Sequence, residues 1–69
     1  MKTLQEFADA LTHAQKARKL TARELADSVG LSDLSVRRIL SGQAAPRLTN
    51  AMALASELGL ELVLVPKEV

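Results

Sequence analysis

Sixty-nine residues are enough for one small domain, and 48% hydrophobic content marks a folded chain rather than a disordered one. The chain has no cysteine, which excludes disulfides and thiolate metal sites, and Phe7 is its single aromatic residue, so the core must be aliphatic. A net charge of +1 conceals an asymmetry: residues 16–47 carry seven basic side chains against three acidic ones, while the remainder is net negative. That imbalance points one surface toward an anionic partner.

The elements read clearly in chain order. Thr3 stands three residues before Glu6, the spacing of a capping box, and Leu4, Phe7, Ala8, Leu11 and Ala14 then recur at helical intervals to about Lys19. Thr21 and Glu24 repeat the capping box for a second helix through Leu25, Ala26 and Val29, which Gly30 should end in the left-handed conformation. Ser32 is a suitable N-cap for a third helix with Val36, Ile39 and Leu40 on one face and Gly42 as its stop. Residues 43–46 form a connector that Pro46 keeps extended at its end. A fourth helix is expected from Arg47 or Leu48, burying Leu48, Ala51, Met52, Ala55 and Leu58 before Gly59.

The tail is different in kind. Leu60-Glu61-Leu62-Val63-Leu64-Val65 is rich in aliphatic and β-branched residues and is closed by Pro66, the pattern of a strand. No other segment reads as a strand, and one strand alone leaves its backbone groups unpaired. Pairing with the same segment of a second copy, antiparallel about a two-fold axis, resolves this. Leu60, Leu62, Val63, Leu64 and Val65 are therefore the expected dimer contacts, with residues 1–59 as the body of the domain and 60–69 as the dimerising tail.

The motif that carries function spans Thr21 to Ser41: a helix, a tight turn at Gly30-Leu31-Ser32, and a second short helix. This is the layout of a helix-turn-helix, whose second helix enters the DNA major groove. Ala26 is small enough for close helix crossing, and Leu31, Val36 and Ile39 attach the second helix to the domain. Arg37 and Arg38 stand among those apolar positions. Guanidiniums stay charged at any working pH, so they require water, a carboxylate or a phosphate.

With these residues in view, ELADSVGLSDLSVRRILSG followed by APRLTNAMALASELGL resembles the lambda-repressor/Cro-type (Xre) helix-turn-helix family. Leu25, Ala26, Gly30, Leu31, Ser32, Val36, Ile39, Gly42, Pro46, Leu54, Ala55, Leu58 and Gly59 fall at the family's positions. The resemblance implies an all-α fold, a compact four-to-five-helix domain, here joined by the short C-terminal β-strand pairing across a dimer. It places Ser32 against a phosphate and Asp33, Leu34, Arg37 and Arg38 within reach of base edges, with Ser35 divided between backbone and base. Arg23, Gln43 and Arg47 are the expected backbone contacts, Arg47 standing near the backbone or minor groove. For Leu34 the choice is between a thymine methyl and burial against neighbours. For Asp33 it is between cytosine and the helix dipole.

Leu40 and Arg47 depart from the family's usual residues. Leu40 is then either core or interface, and the fourth helix lacks its usual cap. The strand-like tail is similar to that of HipB-type antitoxins, which implies a homodimeric repressor of its own operon with a toxin kinase as a further partner; a free-standing phage-type or accessory-operon repressor is the alternative. A protein–protein adaptor is the third reading, and the paired arginines argue against it. His13 is the single histidine and has no carboxylate partner in sequence. No phosphate-cradling loop, metal-ligand cluster or nucleophile arrangement is present, so no catalytic residue, cofactor or metal is expected. With no signal-like segment or membrane span, a cytoplasmic location is expected.

Overall fold

The computed structural model describes residues 3–66, and these contain four helices and no strand. Helix α1 runs Leu4–Arg18, α2 Ala22–Val29, α3 Asp33–Leu40 and α4 Leu48–Glu57. Each of the first three begins at a hydroxyl that satisfies a free amide. Thr3 accepts from the Glu6 N–H, and Ser32 from the Ser35 N–H. Thr21 and Glu24 form the complete reciprocal box, with bonds of 3.0 Å in both directions. The fourth helix begins at Arg47 with no side-chain cap, as the departure at that position implies.

The helix ends are less uniform than the glycines suggest. Gly30 adopts φ 75°, and its N–H returns to the Ala26 carbonyl, so α2 stops where expected. At the end of α1, however, Lys19 takes the left-handed conformation at φ 57°. That conformation is uncommon for a side chain with a Cβ. It is held here by the Lys19 N–H, which donates to Gln15 and Lys16 carbonyls, and by the Leu20 N–H, which donates to Gln15.

The core is aliphatic. Leu11 from α1, Leu25 and Ala26 from α2, Val36 and Ile39 from α3, and Leu54 and Leu58 from the α4 region form one buried cluster. Phe7, Ala14, Leu20, Ala22, Val29, Leu31 and Leu40 pack around it. Helix α2 is central, lying against both α3 and α4, while α1 lies across α3. Ala26, 1% exposed, sits where α2 meets its neighbours and permits their close approach.

One expected face is corrected. Leu48 and Met52 do not enter the core: they are 71% and 54% exposed. The buried stripe of α4 is instead Ala51, Leu54 and Ala55, continued by Leu58. The sequence offers apolar residues around more than half of α4, and only the stripe that meets α2 is covered. On the far side, Leu48 and Met52 line a shallow groove with Leu62 and Leu64 of the tail. Residues 60–66 contain no helix and no ladder within the chain. The expected strand is thus not formed in a single copy, and the end of the expected dimerising tail, residues 67–69, lies outside the described residues.

Candidate nucleic-acid interface

The three-residue turn Gly30–Ser32 places α3 against α2. The Leu31 N–H donates to the Ala26 carbonyl at 3.0 Å, and half-buried Leu31 packs on the core, so the turn is fixed by backbone and side chain together. Val36 and Ile39, 0% and 5% exposed, attach α3 to the domain. Leu40 joins them at the core margin, which settles its role in the single chain. A further bond secures the far end: Thr12 Oγ1 of α1 donates to the Leu40 carbonyl at 2.8 Å. That carbonyl lies in the last turn of α3, where the helix itself supplies no donor.

With one side of α3 committed to the core, the helical repeat turns Leu34, Arg37, Arg38 and Ser41 outward, and all four are exposed. Leu34 is 57% exposed, so it is not buried against its neighbours. Asp33, half-buried, accepts from Arg37 Nε at 3.1 Å across one helical turn. The carboxylate therefore also partners an arginine, beside its position in the positive first turn. Arg38 makes no side-chain hydrogen bond or ion pair among the described residues. Its carbonyl instead accepts from the Ser41 hydroxyl and from the backbone amides of Gln43 and Ala44.

Ser32 and Ser35 act as a pair. Ser32 Oγ accepts from the Ser35 N–H at 3.0 Å and donates to Ser35 Oγ at 2.8 Å. The Ser35 hydroxyl is thereby tied to the cap. The other expected contacts lie on segments flanking α3: Arg23 in the first turn of α2, Gln43 in the turn after α3, and Arg47 before α4. All three are exposed, and the two arginines are without an ion pair among the described residues. Ser41 shares the outward face of α3 and was not among the expected contacts. Its spacing of four residues from Arg37 and three from Arg38 is the signal that identifies it.

The face so built combines the guanidinium of Arg38, unpaired among the described residues, and the Asp33-paired one of Arg37 with hydroxyls at a helix N-terminus, mounted on a short helix held from behind by α1 and α2. Such a pair of helices, joined by a tight turn with the second presented outward, defines a helix-turn-helix domain. A family model described as helix-turn-helix matches residues 14–65, and the chain belongs to that family, of the lambda-repressor (Xre) type. It is accordingly a DNA-binding transcription regulator, in a family of DNA-binding domains rather than enzymes. Comparison with curated proteins and with solved structures returns no match. Among the described residues, no helix is long and apolar enough to cross a membrane.

Proposed function

We propose that the protein is a homodimeric repressor that binds a palindromic operator, with one α3 entering the major groove of each half-site. The observation that carries this reading is the outward face of α3, where Arg37 and Arg38 flank Leu34 and no residue of the face enters the core. Arg38 and Arg37 contact base edges; Ser32, Arg23, Gln43 and Arg47 contact the sugar–phosphate backbone; Ser35 supports the cap. A two-fold axis sets the two α3 helices about 34 Å apart, one turn of duplex. Occupancy of a promoter then blocks polymerase.

Dimerisation is supported by the apolar surface outside the core. Leu48, Met52, Leu62 and Leu64 line one groove, and Val63 and Val65 of the same tail are 65% and 76% exposed. A contiguous patch of this kind marks an interface. Antiparallel pairing of residues 60–65 from two copies satisfies their backbone groups and covers the groove in one step. The same tail supports the finer assignment to a HipB-like antitoxin, with a toxin kinase as a second partner. A kinase encoded by the adjacent gene and copurifying with the protein is the expected finding; its absence favours a free-standing repressor.

The function is tested by binding to the DNA upstream of its own gene. A duplex from that region should bind about a thousandfold more tightly than random duplex at moderate salt, or tighter still, the order expected for specific over non-specific binding. Equal affinity for the two would refute the regulator reading.

A further inference from the structure

The Asp33–Arg37 pair bears on which bases α3 reads. Arg37 engages the carboxylate through Nε alone, at 3.1 Å. A guanidinium carries five N–H donors in one plane, so this bond leaves the donors of both terminal nitrogens free. Those two nitrogens are the pair that spans O6 and N7 of guanine. The Arg37 and Asp33 side chains are 67% and 41% accessible, so the bond adds little to folding stability; its effect is on the direction of the side chain. An arginine oriented before DNA arrives loses less freedom on binding.

Leu34 lies one turn before Arg38 and three residues before Arg37. It is the single apolar side chain on a face otherwise made of Asp33, Arg37, Arg38 and Ser41. Its 57% exposure leaves a leucine surface available where the helix meets its ligand. The C5 methyl of thymine is the apolar feature of the major-groove edge.

We infer that Asp33, Leu34 and Arg37 act as one reading unit, so that each half-site carries a guanine beside a thymine. Arg37 takes guanine through its two terminal nitrogens, Leu34 covers the methyl of the thymine on the adjacent base pair, and Asp33 is a positioning residue that holds Arg37. This rests on the DNA-binding reading above and specifies its sequence preference.

The test begins with a duplex selected by the full-length protein from a random pool. Single atoms are then removed from that duplex and affinities measured. Replacing the guanine by 7-deazaguanine, which lacks the N7 acceptor, should weaken wild-type binding about tenfold, and Arg37→Ala should abolish the difference. Replacing thymine by deoxyuridine should weaken it about three- to fivefold, and Leu34→Ala should abolish that difference. Asp33→Ala should lose most of the discrimination at guanine, whereas Asp33→Asn keeps an oxygen to accept from Nε and should retain it. Both substitutions remove the same charge from the helix N-terminus, so a difference between them isolates positioning from the dipole. Circular dichroism confirms that each variant folds.

An enriched duplex in which no base pair next to the guanine carries a thymine on either strand, or a wild type indifferent to both atom changes, overturns the reading unit while leaving DNA binding intact. Equal guanine discrimination by Asp33→Ala and wild type overturns the role of Asp33. A pool from which nothing is enriched overturns the DNA-binding reading and the proposal with it.

Discussion

Arg23 and Arg38 carry the same charge and are both exposed, but their settings give them different work. Arg23 occupies the first turn of α2 rather than the outward face of α3, and is proposed to meet phosphate without reading sequence. Arg38 stands on that face, and its guanidinium has no hydrogen-bond or ion-pair partner among the described residues. Arg23→Ala should therefore weaken all duplexes to a similar degree and reduce the slope of log affinity against log salt by about 1. Arg38→Ala should relax base preference at one position of each half-site, at about 1–3 kcal/mol of lost discrimination. Titrations of cognate and mutated duplexes at several salt concentrations separate the two. The reverse pattern would mean that the register of α3 in the groove is different.

At the scale of the elements, the caps and turns hold the reading helix in place, and several were legible as sequence. Thr21, Glu24, Ser32 and Gly30 act locally, within three or four residues, so their spacing alone announces them. The Thr12–Leu40 bond joins residues 28 apart, and no local pattern encodes it. The left-handed Lys19 was equally hidden, because the usual marker for that conformation is glycine. In α4 the composition pointed to Leu48 and Met52 as core, since apolar residues surround much of that helix. Only the position of α2 decides which stripe is buried. The outward face of α3 was legible for a simpler reason: arginines between apolar positions divide an eight-residue helix into two sides.

These contacts carry measurable energies. Gly30→Ala meets no atom within 4 Å, so its cost is that of the left-handed backbone alone, about 1–2 kcal/mol. Thr12→Val removes the donor to Leu40 and should cost about 1 kcal/mol in denaturant unfolding. Because this bond fastens the end of α3, the variant should also bind DNA more weakly than its stability loss alone explains. Unchanged stability in Thr12→Val would show that the carbonyl finds an equivalent partner in water.

The whole molecule divides its surface in two. The outward face of α3 is charged and polar around one leucine, whereas the α4 and tail surface is apolar: Leu48, Met52, Leu62 and Leu64 gather there. One surface suits a polyanion and the other a second protein surface, so the proposed dimerisation and DNA binding would use different residues. Val63→Pro removes a backbone donor from the proposed strand pair and should shift sedimentation at micromolar concentration from dimer to monomer. The monomer should retain its helical circular dichroism, because residues 60–66 contribute no helix. A dimer undisturbed by this substitution would place the interface elsewhere.

Two copies are proposed to present α3 to successive major grooves of one duplex. Selection from a pool of random duplexes, followed by sequencing, decides between this arrangement and its alternatives. The enriched site should have two-fold symmetry and half-site centres about 10 base pairs apart. Enrichment of no sequence, or of a single asymmetric site bound by one copy, would contradict it.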